Sequence, residues 1–282
     1  MTSCKKFIVF TRGRTGSTAI VDEIDSHTKA LCLQEPFIPL EGIKELMKAL
    51  ESGESYESVS KTRKFVPFEL WLKQWRIFCF LRKRFYWRRL RLVGEKGILR
   101  SYLRDLELNA INKGMERKVA FGFKLLVNHL DNWPKLSEVL YEGGYVVVYL
   151  ERKNVVRKVL SGIVASKRGV YNRKNFQHVS ENFEIDLDDF EMRVRSELVL
   201  VEKEKDMLRK VGFDLLSVSY EDFLQNRNTF LRELFEFIGV DFELPKESEY
   251  SIMIKDMKST VSNYEALLER VETMGLKHLL ES

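Results

Sequence analysis

The stretch KKFIVFTRGRTGSTAI, residues 5–20, decides the fold of this chain. Residues 7–10 form a short, continuous apolar run with a β-branched centre, which predicts a buried parallel strand. Gly13 and Gly16 then allow a tight turn and a close approach of the backbone to a ligand. The apolar positions that follow predict a helix over residues 17–27. The stretch therefore predicts a strand, a glycine loop and a helix.

The N-terminus of this helix is a predicted anion site. Its first N–H groups have no partner within the helix, and the positive end of the helix dipole points the same way. Guanidinium groups of the loop add charges that suit an oxyanion. The alternative is an ordinary strand–turn–helix with two solvated arginines. The predicted binding residues are Arg12, Gly13, Arg14, Thr15, Gly16, Ser17 and Thr18.

The loop differs from the two common nucleotide-binding patterns. A Walker A loop has four residues between its glycines and a lysine before Ser or Thr, whereas two residues separate Gly13 from Gly16 and no lysine follows. The dinucleotide pattern G-x-G-x-x-G is absent as well. The loop is therefore interpreted as a phosphate site without the apparatus for a magnesium nucleotide.

A second phosphate site is predicted where another strand ends. Residues 145–150 (YVVVYL) are the clearest buried strand of the sequence, and Arg152 follows their carboxyl end. Ser161 lies nine residues after Arg152, on the next predicted helix. The arginine by its charge and the serine by its hydroxyl can both reach one phosphate.

Three further polar residues are candidates for catalysis. Glu35 ends the predicted strand 30–37, and Pro36 keeps it extended, so the carboxylate is expected beside the glycine loop. The alternative is a surface glutamate before a proline turn. Lys124 interrupts the apolar strand 119–125 and either extends to solvent or faces an anion. His129 follows shortly after, and a lone histidine is more often structural than catalytic.

Composition and charge limit the class of protein. The 282 residues include 44% hydrophobic ones and carry a net charge of +5, which suits a folded domain with an anionic ligand. That charge is too small to indicate nucleic acid by itself. Cys4, Cys32 and Cys79 are scattered and are interpreted as reduced thiols of a cytoplasmic protein. We expect no signal peptide, no stable membrane insertion and no metal site.

Residues 68–93 combine basic and aromatic side chains without any acid from Lys73 to Arg91. Three functions are considered: a lid over an anionic ligand, a membrane-surface helix, or contacts to nucleic acid. The favoured interpretation is an amphipathic helix that packs on the sheet, combined or not with a lid.

The remaining elements complete an α/β prediction. Alternating strands and helices predict a mostly parallel sheet with helices on both faces. Helices are predicted over 40–57, 131–141, 187–211 and about 230–238, and a strand over 213–222 that ends in a Y-E-D turn. A basic, hydroxyl-rich loop contains Lys255, Lys258, Ser259 and Thr260.

Two of these motifs resemble a known family. The loop TRGRTGST is similar to the 5′-phosphosulfate loop of sulfotransferases that use 3′-phosphoadenosine 5′-phosphosulfate (PAPS), and its R-T-G-S core resembles that of bacterial carbohydrate sulfotransferases. Arg152 and Ser161, with their strand and helix, resemble the 3′-phosphate motif of the same family. The likeness covers nearly the whole chain and is weakest at about residues 40–115.

The resemblance implies a fold, a reaction and residue roles. It implies one P-loop-like domain over residues 1–282 with a helical insertion at about 40–115, PAPS as donor, 3′,5′-adenosine bisphosphate (PAP) as product, and no metal. Glu35 in its E-P-F segment, or His129, is the implied general base, and Lys124 is placed to neutralise the migrating sulfuryl group. Arg14 stands where many members have lysine. The loop with Lys255, Lys258, Ser259 and Thr260 is implied to close over the nucleotide.

The predicted function is sulfuryl transfer to a hydroxyl or amine of a small-molecule or carbohydrate acceptor. One alternative is a kinase or NTPase with a variant phosphate loop. Another is a protein without enzymatic activity that binds anionic surfaces through residues 68–93.

Overall fold

The computed structural model describes residues 4–38, 67–68, 71–72, 85–112, 118–169, 182–250, 254 and 256–280. Within them one parallel sheet has the strand order β2-β3-β1-β4-β5. This confirms the predicted α/β class with a mostly parallel sheet. The strands are β1 (Lys5–Thr11), β2 (Ala30–Leu33), β3 (Ala120–Leu126), β4 (Tyr145–Glu151) and β5 (Leu215–Ser219).

Helices cover both faces of this sheet. They are α1 (Ser17–Ser26), α2 (Phe85–Asn112, broken at Gly94), α3 (Val127–Asn132), α4 (Leu136–Glu142), α5 (Val155–Arg168), α6 (Leu187–Val211), α7 (Tyr220–Gln225), α8 (Arg227–Phe237), α9 (Met257–Thr260) and α10 (Tyr264–Thr273), followed by a 3₁₀ turn (Lys277–Leu279). Because every strand runs in the same direction, all of the carboxyl ends meet at one edge, where ligands bind in such sheets.

The alternation of side chains along β1 divides the core between the two faces. Ile8 and Phe10 pack on the side of α2 and α4, whereas Phe7 and Val9 pack on the side of α1 and α8. All four are buried, and each contributes about 1.5–3 kcal/mol to stability. Gly122 of β3 gives Phe7 its space, since a Cβ there would lie 2.5 Å from the Phe7 ring.

Several local predictions need correction. The sequence predicts one helix over residues 131–141, but α3 and α4 are separate and Pro134 lies in the turn between them. The cause is the effect of proline on the preceding residue, since Trp133 has the non-helical angles φ −133°, ψ 74°. The Y-E-D segment, predicted as a turn, begins the short helix α7, because Ser219 and Asp222 form a reciprocal capping box.

Part of the predicted basic aromatic segment belongs to the core. Phe68 is fully buried and packs against Phe37 and Tyr102. Trp71 stacks on Phe68 and also contacts the Tyr102 ring. The later part of α2 packs on the same face of the sheet through Leu99 and its neighbours. The basic side chains between Lys73 and Arg91 lie outside what the structure describes, and so does the predicted helix 40–57.

Two further findings bear on the class of protein. No helix in the described ranges is both long and apolar enough to cross a bilayer. Cys32 on β2 is buried and Cys4 is half-buried, whereas Cys79 falls in a range that is not described.

Candidate active site

Two threonines and the backbone fix the loop that follows β1. The hydroxyl of Thr11 donates to the carbonyl of Leu150 on β4 (2.7 Å) and lies 2.6 Å from the hydroxyl of Thr15. Thr15 in turn bonds the carbonyl of Arg12 across 3.0 Å. Both threonines are buried. The sequence predicts Thr15 as an anion ligand, whereas the structure uses its hydroxyl to hold the loop against the sheet.

The turn into α1 depends on left-handed backbone angles. Arg14 has φ 67° and Gly16 has φ 71°. A Cβ on Gly16 would lie 2.2 Å from the ring of Tyr220, so this position needs glycine for its angle and for its space. Within the described ranges, no side chain caps the helix at Gly16. The first N–H groups of α1 therefore remain available to an anion at the carboxyl edge of the sheet.

The glycine loop and the second predicted phosphate motif meet directly. The Nε and Nη2 groups of Arg14 donate to the Oγ of Ser161 on α5, at 3.1 and 2.9 Å. Nη1 of Arg152 donates to the carbonyl of Arg14 across 3.2 Å. Because the Ser161 oxygen accepts both bonds, its own O–H can still donate to a ligand. The structure thus brings Arg14, Arg152 and Ser161 into one cluster.

Arg152 is a half-buried cation whose surroundings only partly compensate its charge. Its guanidinium lies 5.2 Å from the ring centroid of Tyr220, and its Nε is 4.0 Å from Glu221. The Glu221 carboxylate already accepts the N–H groups of Lys153 and Asn154 at 2.9 and 3.1 Å. Burial lowers the pKa of Arg152. Its Nε is buried and finds no hydrogen-bond acceptor in the described part of the chain, which fits a site for an anion.

A carboxylate and an ammonium lie on the other side of the glycine loop. Oε1 of Glu35 is 2.7 Å from Nζ of Lys124, and the same Nζ donates to the Thr18 hydroxyl on α1 across 3.0 Å. Lys124 is only 3% exposed, whereas the Glu35 side chain is 23% exposed. The Lys124 side chain therefore turns inward, as one of its two interpretations predicts. The prediction that Glu35 is extended at the end of strand 30–37 is wrong, since β2 ends at Leu33 and Glu35 has φ 31°. Strained backbone angles of this kind concentrate at functional sites.

His129 is buried near the same pair. Its Nδ1 accepts the N–H of Leu126 across 3.3 Å, which leaves the proton of the neutral ring on Nε2. This Nε2 is buried and has no hydrogen-bond partner among the described residues. Burial lowers the pKa of His129 to about 4, although the nearby Glu35 opposes the shift. The imidazole is therefore neutral at pH 7 and presents a donor rather than an acceptor.

Arg12 points elsewhere. Its Nη1 lies 3.0 Å from Glu197 of α6, and its Nε pairs with Glu204 of the same helix. Its charge is thus compensated by two carboxylates, and its side chain makes no hydrogen bond or ion pair with the described groups that hold Arg14. The other loop residues, from Gly13 to Thr18, form the turn and the start of α1.

The C-terminal residues predicted to bind the nucleotide make no hydrogen bond to this cluster within the described ranges. Lys258, Ser259 and Thr260 lie in the short helix α9 rather than in a loop, because Asp256 caps its first N–H groups. Lys258 is exposed and 3.8 Å from Glu265, and the Thr260 hydroxyl donates to the carbonyl of Asp256 across 2.6 Å. Lys255 lies outside the described residues.

Sequence reasoning missed Tyr220 and Glu221 as parts of the site. Tyr220 contacts both Gly16 and Arg152, and Glu221 fixes the backbone where α5 begins. A usable signal was present, since both residues follow β5 directly and parallel strands end at a common edge. The donor set of this edge consists of arginines, a serine and helix N–H groups, which suits phosphate better than a metal ion.

Comparison with known proteins gives distant structural likenesses. No protein-family model matches the sequence, and no curated protein is significantly similar to it. A sulfotransferase from Alicyclobacillus acidocaldarius is similar in structure, with 14% identity, a TM-score of 0.41 and coverage of 97% of this chain and 96% of that one. A sulfotransferase domain from the curacin biosynthetic pathway has 13% identity and a TM-score of 0.43. The match covers 86% of this chain and 76% of that one. A retinol dehydratase in complex with androsterone and PAP has 12% identity and a TM-score of 0.37. The match covers 98% of this chain and 79% of that one.

Proposed function

We propose that this chain is a sulfotransferase that moves the sulfuryl group of PAPS to a hydroxyl or amine of a small-molecule or carbohydrate acceptor. One observation carries the proposal. Arg14 of the glycine loop bonds Ser161, and Arg152 bonds the backbone of Arg14, so two separately predicted phosphate motifs form one cluster. A ligand with phosphate groups at both ends of a ribose matches such a paired arrangement. This supports a 3′,5′-substituted nucleotide over a nucleoside triphosphate.

The residues of the cluster have separate roles in this proposal. When bound, PAPS supplies the sulfuryl group and its phosphate leaving group. The loop N–H groups and Arg14 hold the 5′ end and stabilise the charge that builds on the leaving phosphate. Arg152 and Ser161 hold the 3′-phosphate, which fixes orientation rather than chemistry. Lys258, Ser259 and Thr260 remain proposed contacts to the nucleotide, with Lys255 beside them.

We assign the general base to Glu35 and not to His129. A base needs a lone pair directed at the proton it takes. The lone pair of His129 is engaged by the Leu126 N–H, and its Nε2 carries a proton. Glu35 is partly exposed at the mouth of the site, and Lys124 stabilises its charged form. After the proton transfer, Lys124 is also placed to neutralise the migrating sulfuryl group.

The location and acceptor belong to the same proposal. The three cysteines are scattered along the sequence, which supports a reducing, cytoplasmic setting. Phe68 and Trp71 are used by the core, so they do not support an aromatic surface for nucleic acid or membranes. The acceptor is proposed by its class, a small molecule or carbohydrate, and by its reacting group, a hydroxyl or an amine.

Calorimetric titration with PAP, with AMP and with ATP plus Mg²⁺ tests the proposal. We expect PAP to bind most tightly. Arg152→Ala should lower the affinity for PAP by about 10–100-fold, because a hydrogen bond to a charged group contributes about 1.5–3 kcal/mol. The control is Arg209→Ala, which removes the same charge from an exposed pair with Asp206 on α6. Its affinity for PAP should match that of the wild type.

Two results would overturn the proposal in different ways. Binding of ATP only with Mg²⁺, without affinity for PAP, would favour a kinase or NTPase. Absence of nucleotide binding, together with steeply salt-dependent binding to nucleic acid or anionic vesicles, would favour a binding protein that uses residues 68–93.

A further inference from the structure

A third arginine, Arg157, lies on the helix face that carries Ser161. The two residues are four positions apart on α5, so their side chains are neighbours along the helix. Arg157 is in the first turn of α5, where its own N–H donates to Asn154. The charge of Arg157 also acts on Arg152. Burial lowers the pKa of Arg152, and repulsion by the neighbouring Arg157 lowers it further. Arg157 therefore borders the cluster of Arg14, Arg152 and Ser161.

The pairing of nearby cations sets Arg157 apart. Lys158, the next residue, is buried and paired with Glu197. Arg12 is bound to Glu197 and Glu204. In the described part of the chain, no carboxylate makes an ion pair with Arg157, and its Nε is buried without an acceptor. Among these residues, the fold thus neutralises the cations directed toward α6 but provides no anion for Arg157.

Two neighbouring arginines with orphaned Nε groups are costly unless a ligand compensates them. Removing a cation from water is unfavourable, and a like charge nearby adds to the cost. Glu221 is the nearby carboxylate of Arg152, but it is already bound to two backbone N–H groups. A single negative charge would leave the cluster positive, whereas a phosphate dianion with three acceptor oxygens would satisfy both arginines.

We infer that Arg157 is a second cation of the 3′-phosphate subsite, where it acts with Arg152 and Ser161 to select a dianionic phosphate. This inference rests on the proposed function. It assigns to Arg157 the discrimination between nucleotides with and without a 3′-phosphate, and it leaves the 5′ end to the glycine loop and Arg14. Arg157 is accordingly a binding and specificity residue, with no part in proton transfer.

A cycle of ligands and variants tests the inference. PAP and AMP differ only in the 3′-phosphate, so calorimetric titration of both against wild type and Arg157→Ala isolates the interaction with that group. We expect Arg157→Ala to lower the affinity for PAP by about 10–100-fold, the effect of losing one charge-assisted hydrogen bond. The affinity for AMP should change by less than about threefold. Arg157→Gln, which keeps N–H donors but removes the charge, should show the same selective loss and serves if the alanine variant does not fold. Arg209→Ala is again the charge-matched control.

The outcomes separate this inference from the proposed function. An equal loss of affinity for PAP and for AMP in both Arg157 variants would mean that Arg157 has a structural role, and this would overturn the inference. Unchanged PAP affinity in both variants would overturn it as well, while the proposed function would stand. Failure of the wild type to bind PAP would refute the proposed function and the inference together.

Discussion

At the scale of single residues, Glu35, Lys124 and His129 form one interacting group. The Lys124 ammonium is shared between the Glu35 carboxylate and the Thr18 hydroxyl, which connects the proposed base to the start of α1. His129 lies close enough for Glu35 and Lys124 to influence its charge, yet its ring is neutral at pH 7 because burial lowers its pKa. The imidazole N–H is therefore suited to orient an oxygen, and the carboxylate to accept a proton.

Glu35→Gln is expected to lower turnover by about 10²–10⁴-fold, the usual contribution of a general base. The affinity for PAP should not change, because Glu35 is not part of the phosphate cluster. The measurement is the initial rate of PAP formation from PAPS with an acceptor found by screening sugars and phenols. His129→Gln is the matched variant, and it should retain more activity because the amide keeps a donor. Full turnover in Glu35→Gln, with loss in His129→Gln, would move the base to His129.

At the scale of elements, the loop between β1 and α1 is the part whose shape is most strictly specified. Gly16 has a left-handed angle and lies against Tyr220, whereas a Cβ on Gly13 would meet no atom within 4 Å. The same tyrosine ring faces Arg152. The turn, the aromatic ring and the arginine thus form one packed unit.

Gly16→Ala should destabilise the protein by at least about 1 kcal/mol and remove most of the affinity for PAP. The added methyl group meets the Tyr220 ring, and alanine is strained at φ 71°. Gly13→Ala is the control, because its Cβ enters open space and its φ is not positive. Urea unfolding and PAP titration of both variants test this expectation. Equal effects of the two substitutions would show that the left-handed turn and its contact with Tyr220 are unimportant.

Local sequence patterns predict the elements but not the partners of the charged residues. The long helix 187–211 has the bounds that the sequence predicts, because its capping residues and charges are local signals. The break at Pro134 and the short helices α7 and α9 depend instead on single backbone angles and capping bonds, which hydrophobic periodicity does not reveal. The sequence suggests a phosphate ligand in Arg12, whose actual partners on α6 are far away along the chain. No periodicity predicts which distant helix face an arginine will meet.

At the scale of the whole molecule, α6 holds the site together through a charge network. Glu197 joins Arg12, which follows β1, to Lys158 of α5. Glu204, further along the same helix, pairs with Arg12 and accepts the Tyr149 hydroxyl of β4 at 3.2 Å. Burial raises the pKa of Glu204 and lowers that of Lys158, as expected for charges removed from water. The network connects both predicted phosphate motifs to one long helix.

Glu204→Leu should destabilise the fold by about 3 kcal/mol, because removing one partner leaves buried charge uncompensated. Adding Arg12→Met should recover part of this loss, since the remaining pair is then apolar. Asp206→Ala on the same helix breaks only the exposed pair with Arg209 and should cost less than about 1 kcal/mol. Urea unfolding of the four proteins, wild type included, measures these differences. Similar costs for Glu204→Leu and Asp206→Ala would mean that the network does not stabilise the fold.

A crystal structure with PAP bound would examine the proposed nucleotide site itself. We predict the 5′-phosphate within about 3 Å of the loop N–H groups between Gly13 and Thr18. We predict the 3′-phosphate between Arg152 and Ser161. A nucleotide bound elsewhere on the protein, with neither phosphate at these groups, would contradict the assignment of this site and of the donor it binds.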